Sequence, residues 1–372
     1  MGTPKAATAR ENTPAAGGAM EMNFRPVEDS HPLDWARITQ YLDQKNLSVD
    51  LLTQPRQFAG GLANLNYLLK IDGDWAVLRR PPSGPLPPGA NDMVREHHIL
   101  SNLWRELPLA PRSLHLCDDP AIAGAPFQLI EFRQGVAVRG DSLAPLPETG
   151  ATGAALSNML IDTLARIHTV DVDAVGLQDL GSPQDFFRRT CRGWLRRADR
   201  ILGDGQHASI TAIAQWLDDV ADPPATPPSL LHNDFKLDNV LLDPADLRPV
   251  AILDWDMGTR GDPLFDLATL LSYWTEPGDP SCMQRLAQMP SGRPGFLSRE
   301  AAANSYAERA GRPLDGFKAY RVLSVFKLGV VFHQLHQRHV SGETKDPRYS
   351  GFRDLADELL GFCMDIARDK IF

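Results

Sequence analysis

An aspartate, a lysine and an asparagine stand at fixed intervals in the run His232-Asn233-Asp234-Phe235-Lys236-Leu237-Asp238-Asn239, which fits the pattern H-x-D-x-K-x-x-N. In that pattern the aspartate accepts the proton of a substrate hydroxyl, and the asparagine five residues later binds a metal ion. The next segment strengthens the reading. Val240-Leu241-Leu242 runs out, Asp243-Pro244 to Pro249 turns, and Val250-Ala251-Ile252-Leu253 runs back, so a hairpin of two short strands returns Asp254 to Asn239. A hard Mg²⁺ ion takes oxygen ligands in octahedral geometry and keeps several waters. One carboxylate, one amide oxygen and the oxygens of a triphosphate therefore suit it. Phosphoryl transfer needs mainly positioning and charge neutralisation, so a base, two metal ligands and nearby cations are a sufficient kit.

Two bodies must hold this kit. Residues 1–22 are mostly Ala, Gly, Thr and Pro with no aromatic residue, and are expected to be disordered. Leu33, Ile38, Tyr41 and Leu42 give the segment Leu33 to Asn46 a helical apolar face. From Arg56 to Arg80 the text reads as an antiparallel meander, with a Gly-containing loop and then an Asp72-Gly73 hairpin turn. A Pro-rich surface loop over 81–89 precedes a helix from about Asn91 to Leu107, and Phe127 to Phe132 is a further buried strand. After Gln134-Gly135 helical spacing dominates: 154–168, 182–202, 206–220, 299–311, 315–340 and 352–369. The expected architecture is α+β and two-lobed: an N-terminal lobe of antiparallel sheet with one main helix over 23–133, and a larger, mainly helical lobe over 134–372.

Residues 230–270, from Leu230 through the Leu253-Asp254-Trp255-Asp256 segment to Gly261-Asp262-Pro263 and Asp266, resemble the aminoglycoside phosphotransferase family. These are kinase-like small-molecule phosphotransferases. The resemblance is strongest there and extends from about 55 to 340. It implies Asp234 as catalytic base, Asn239 and Asp254 as metal ligands, and Asp266 as a support for the catalytic loop. It also implies a protein-kinase-like fold, ATP and Mg²⁺ as cofactors, and a hydroxyl group on a small molecule as acceptor. In such folds a cation on the third strand holds the α- and β-phosphates and pairs with a Glu on the next helix. Ala76-Val77-Leu78-Arg79 occupies the place of V-A-I-K, with Glu96 on the helix that follows. Arginine stands where lysine is usual; it can bridge phosphate and carboxylate bidentately, and Arg80 is the alternative counterpart. The loop Gly60-Gly61-Leu62-Ala63-Asn64 would place backbone N–H groups over the phosphates. Glu131 and Phe132 fall where the family's linker meets the adenine edge. Lys236 has the spacing at which Ser/Thr protein kinases set a lysine near the γ-phosphate, where it would neutralise charge. The same wording resembles the kinase-like domains found beside acyl-CoA dehydrogenases, which puts a hydroxy-acid or acyl-type acceptor on equal footing with an aminoglycoside.

Composition bounds the rest. At 372 residues with 43% hydrophobic and 23% charged, the chain has the make-up of a globular protein. A net charge of −9 argues against non-specific nucleic-acid binding. No apolar run reaches the roughly 18 residues a membrane span needs. Cys117, Cys191, Cys282 and Cys363 have no disulfide-dense spacing and read as buried thiols of a cytoplasmic protein. Oligomeric state is not legible. His232 is expected to fix its loop by hydrogen bonding, Trp255 to pack, and Asp256 and Asp262 to serve as turn or cap residues or reach the site. His333, His336 and His339 are expected on a solvated helix face, with no structural zinc. Two other functions fit parts of the text. A protein kinase would need an A-P-E segment, which is not evident after Asp254; a nucleotide-binding module without catalysis would account for Arg79 in place of lysine.

Overall fold

The computed structural model describes residues 22–59, 64–82, 91–202, 207–343 and 347–372. The first lobe is built on a five-stranded antiparallel sheet in the order β1-β2-β3-β5-β4. Its strands are β1 (Arg56–Gln57), β2 (Leu65–Ile71), β3 (Asp74–Arg80), β4 (Ser113–Cys117) and β5 (Phe127–Glu131). Asp72-Gly73 makes the tight turn between β2 and β3, both residues with positive φ and Ile71 paired to Asp74 across it. Asp tolerates that conformation and Gly adopts it freely, which is why this dipeptide marks a hairpin. Helix α1 (Trp35–Asp43), capped by Asp34, packs Ile38 and Leu42 into the apolar core on one side of the sheet.

Helix α2 (Met93–Leu103) takes the other side, and Asp92 caps its first turn. Its residues Ile99, Leu100 and Leu103 belong to the large core of the second lobe. The helix that carries Glu96 is therefore anchored on both bodies, which fixes it relative to the catalytic loop. A short helix, α3 (Pro120–Ala123), links β4 to β5.

The second lobe gathers α4 (Gly150–Ile167), α5 (Phe186–Leu202), α6 (Ala208–Asp219), α7 (Pro263–Ser272), α8 (Ser281–Leu286), α9 (Arg299–Ala310), α10 (Phe317–Val340) and α11 (Phe352–Ala367). Two small antiparallel ribbons lie among them: β6 (Ser229–Leu231) with β9 (Thr259–Gly261), and β7 (Val240–Leu242) with β8 (Pro249–Ile252). The β7–β8 ribbon is the expected hairpin, though it carries a register shift at Leu241/Leu242. Strand β6 is buried throughout and packs on α7, and Trp255 and Trp274 are fully enclosed. Burying such large side chains contributes roughly 25 cal/mol per Å² of apolar surface, so the loops between the ribbons rest on a close-packed floor.

The expected α+β, two-lobed kinase-like architecture is the one observed. Helix α7, β4 and β9 lie in segments where the sequence reading had no element. Helix α7 is buried over its whole length, so it shows no amphipathic period to detect. Its start was nevertheless written: Asp262 caps it through the Leu264 N–H, and Pro263 sits in the first turn, where a missing N–H costs nothing. Among the described residues no helix is long and apolar enough to cross a membrane, and all four cysteines are free and buried.

Candidate active site

The loop between β6 and β7 is held from below by one carboxylate. Asp266, on α7 and fully buried, accepts the backbone N–H of His232 and of Asn233, each at 2.7 Å. Its Oδ2 also lies 3.3 Å from His168 Nε2, and His168 Nδ1 meets the Tyr306 hydroxyl at 2.6 Å. Burial opposes ionisation of Asp266, but the contact with His168 and the backbone donors outweigh it and hold the carboxyl below its ordinary pKa. His232 then ties the loop to the next strand, its Nε2 lying 2.9 Å from the Leu253 carbonyl. Both residues act as loop supports, as the sequence led us to expect.

Asn233 and Asp254 are both left-handed, at φ 65° and 68°. Such backbone costs energy unless the surroundings impose it, and it turns each chain sharply at the point where a side chain must be aimed. Gly258 lets the following loop close over α2: a Cβ there would lie 2.4 Å from the Ile99 side chain.

Asp234 sits just past the first of these turns. Its Oδ1 accepts the Tyr273 hydroxyl at 2.7 Å and its Oδ2 faces Lys236 Nζ at 3.0 Å. Asn239 donates Nδ2 to the Asp234 carbonyl at 2.8 Å and lies 3.3 Å from Oδ2. Burial alone would raise the pKa of Asp234; Lys236, Lys327 and Tyr273 reverse that and keep the carboxylate ionised. The backbone N–H of Leu253 donates to the Asn239 carbonyl at 2.8 Å, so the hairpin does deliver Asp254 beside Asn239.

Arg79 reaches the same place from the sheet. Its Nε donates to Glu96 Oε2 at 2.7 Å, and its Nη2 pairs with Asp254 Oδ1. Burial disfavours the charge on Arg79, yet Asp254 and Glu96 together hold the guanidinium above its ordinary pKa. Glu96 is buried, in contrast to the usual exposed helix glutamate, and also accepts Gln128 Nε2 and the Trp255 backbone N–H. Arg80 does not share the site: strand alternation turns it to the opposite face, where it donates to the Ala123 and Pro81 carbonyls.

The remaining expectations fall out unevenly. Gly60 and Gly61 lie outside the described residues, as do residues 1–21. Asn64 is buried and accepts Asn91 Nδ2 at 2.8 Å, which ties the end of that loop to the approach to α2. Glu131 has its carboxylate engaged by Arg133 at 3.0 Å and by Arg112, and its backbone N–H donates to the Arg112 carbonyl at 2.8 Å; Phe132 beside it is half-buried. Two side chains that touch the loop were missed. Tyr273 follows α7, and Lys327, from the middle of α10, donates Nζ to the Asn233 carbonyl at 2.6 Å. Neither stands near a motif; a lysine inside the apolar stretch of 317–333 was the available signal. His333 departs from expectation: it is buried rather than solvated and, with His207, lies 2.9 Å from Asp357.

Residues 54–302 match the phosphotransferase enzyme family, known as APH. The chain belongs to that family. Among solved structures, a Ralstonia eutropha JMP134 protein provisionally described as an aminoglycoside phosphotransferase superposes at TM-score 0.72 and 24% identity, covering 92% of this chain and all of that one. A thermostable mutant of aminoglycoside phosphotransferase APH(4)-Ia, in a ternary complex with AMP-PNP and hygromycin B, gives TM-score 0.55 at 21% identity over 89% of this chain and 97% of its own. At these identities the likeness is one of fold. Acyl-CoA dehydrogenase family member 10 of Mus musculus is 27% identical over 94% of this chain, and family member 11 of Gallus gallus 34% identical over 59%. The matched regions are 33% and 28% of those proteins, so the chain spans about a third of the relatives' length.

Proposed function

We propose that this chain transfers the γ-phosphate of ATP, with Mg²⁺, to a hydroxyl group of a small molecule, using residues 23–133 as the nucleotide lobe and 134–372 as the catalytic lobe. The observation that carries the reading is the joint placement of Asp234, Asn239, Asp254 and Arg79: the first two share a hydrogen bond, and Arg79 binds Asp254. Asp234 is ionised and accepts the acceptor's proton, with Tyr273 and Lys236 fixing its two oxygens. A weak base suffices, because phosphoryl transfer proceeds through a loose transition state that needs alignment more than proton abstraction. Lys236 is the cation placed to balance charge at the phosphoryl group, and Arg79 holds the α- and β-phosphates from its anchor on Glu96.

Mg²⁺ fits the donor set. Both hydrogen bonds of the Asn239 side chain use Nδ2, and Arg79 occupies Oδ1 of Asp254, so an amide oxygen and the second carboxylate oxygen are the hard ligands that remain. Asn239 and Asp254 would hold the ion, which would supply positive charge to offset that of the triphosphate. Asp254→Ala is expected to lower Mg-dependent nucleotide affinity at least about tenfold, read by calorimetry with and without Mg²⁺. Unchanged affinity in the presence of Mg²⁺ would remove Asp254 from the ligand set.

Lys327 adds a pH dependence. Burial brings its pKa down to about 8, against the opposing pull of Asp234 and Asp266. Below that pH the ammonium stands over the catalytic loop; above it the charge is lost. Activity is therefore expected to fall as pH rises through about 8, and Lys327→Arg to move that limb upward. A folded state that binds fewer protons than the unfolded chain between pH 8 and the ordinary lysine range gains stability with rising pH there, so an activity loss in that window is not unfolding. An alkaline limb unmoved in the arginine variant would assign it to another group.

The acceptor would enter a cavity of about 330 Å³ lined by Arg95, Arg189, Asn233, Phe265 and Lys327, among others. Three cations in that wall repel a polycationic aminoglycoside, and the relatives' acyl-CoA dehydrogenase names favour a hydroxy-acid or acyl-type acceptor. Free buried thiols suit a reducing cytoplasm. Screening hydroxyl compounds for Mg-dependent ADP release tests the whole reading. A nucleotide-binding module without catalysis is the second reading, favoured by the Arg79–Asp254 ion pair across the metal-facing carboxylate; it predicts nucleotide binding with no ADP release from any compound.

A further inference from the structure

Helix α5 inverts the charge of the molecule around it. In a chain of net charge −9, its 17 residues include Arg188, Arg189, Arg192, Arg196, Arg197 and Arg200 against the single acid Asp199. Arg188 is neutralised by Asp222 and by backbone carbonyls, and Arg189 donates to the carbonyls of Gln184 and Ser182. The last three arginines are different. Arg196, Arg197 and Arg200 line a second cavity of about 380 Å³ between α5 and α10, together with Trp194 and Gln334, and among the described residues no acidic side chain lines it.

Among the described residues the only side-chain group that Arg197 hydrogen-bonds is the neutral Gln334 amide oxygen, 2.8 Å from its Nε; it also lies over the Trp194 ring at 4.8 Å. Arg200 reaches only the Arg196 backbone carbonyl at 3.3 Å, and the Arg196 guanidinium has no hydrogen bond or ion pair among the described residues. Burial and the neighbouring Arg200 both push the pKa of Arg197 down. Three guanidiniums on one cavity wall, two of them exposed to solvent, present a concentrated positive surface to an incoming anion, and guanidinium groups bind phosphate oxygens bidentately. Trp194 bounds this cavity and also the one that reaches Asn233 and Lys327. The two form neighbouring compartments along α5.

We propose that the arginine cavity is a subsite for a phosphate-bearing tail of the acceptor, whose hydroxyl end lies in the adjoining cavity beside the catalytic loop. The proposal rests on the phosphotransferase reading above for its use, though not for its binding chemistry. Three cations over-match a single carboxylate and suit a multiply charged phosphate group. The acceptor class is therefore a hydroxyl compound with one reactive end and one phosphorylated end, held across Trp194.

The test uses the full chain with its nucleotide site saturated by Mg-ADP. Inorganic pyrophosphate and citrate are titrated by calorimetry into the wild type and into Arg196→Gln/Arg200→Gln, two exposed positions whose loss does not open the core. We expect pyrophosphate to bind the wild type, more weakly as salt rises, and at least tenfold more weakly in the double variant, with citrate weak in both. In turnover, KM for a hydroxyl compound carrying a phosphate-bearing tail should rise at least tenfold in the variant, and KM for the same compound without the tail should not. Equal pyrophosphate affinity in the two proteins, or citrate binding as tightly as pyrophosphate, would overturn the subsite. Absence of ADP release from every acceptor, with pyrophosphate binding still lost in the variant, would overturn the transferase reading and leave the anion subsite standing.

Discussion

Asp234→Ala is expected to lower phosphoryl transfer by on the order of 10²–10⁴-fold while Mg-nucleotide still raises the melting temperature as it does in the wild type. The carboxylate is the one group that Tyr273, Lys236 and Asn239 all engage, so it is built to be held still rather than to move. Its low pKa fits the same role: at neutral pH it is always in the accepting form. Asp234→Asn keeps the shape and removes the charge, and should lose nearly as much rate, because the amide cannot take a proton from the acceptor. A variant of either kind that releases ADP at the wild-type rate would take the base assignment away. If instead nucleotide stabilisation disappeared with activity, the residue would be supporting the fold of the site.

Asp266→Ala is expected to be the most destabilising single change near the loop. It removes the acceptor of two backbone N–H groups and leaves His168 facing an empty buried position. Removing one partner from such a buried charged network costs about 3–5 kcal/mol, which corresponds to a Tm drop on the order of 5–10 °C. The carboxyl titrates low in the folded state, so its contribution is present at neutral pH and is lost as pH falls through that depressed pKa. Wild type and variant should therefore converge in stability in acid. A Tm within 1–2 °C of wild type at neutral pH would show the loop to be held by the ribbons alone.

The meeting of Asp234, Asn239 and Asp254 was legible because their spacing is local. Asp234, Asn239 and Asp254 lie within one hairpin, and the turn that joins its strands is spelled out in Asp243-Pro244, so sequence spacing and spatial proximity coincide. Arg79 and Glu96 were legible through the order of strand, loop and helix. Strand alternation, which a sequence cannot phase without the register, is what separates Arg79 from Arg80. Tyr273 and Lys327 were not legible. They arrive from helices more than thirty residues away, and only packing of α7 and α10 under the loop brings their polar tips to it. Helix α7 itself was hidden by being apolar on every side, with Asp266 as its one anomaly: a charged residue in a run otherwise fit for a core. His333 failed for the mirror reason, since helical spacing of histidines says nothing of which face is covered, and α11 covers this one.

The ion pair between Arg79 of β3 and Asp254 ties the sheet to the end of the β7–β8 hairpin. Glu96 holds the guanidinium in place, and Gln128 and the Trp255 N–H hold Glu96 in turn.

The most direct measurement is of the product. Purified chain incubated with ATP, Mg²⁺ and a hydroxyl compound that stimulates ADP release should be followed by ³¹P nuclear magnetic resonance. A new phosphate monoester signal, equal in amount to the ADP formed and absent with Asp234→Ala, is the predicted result. ADP accompanied only by inorganic phosphate, or an ester that forms equally well with the variant, would contradict it.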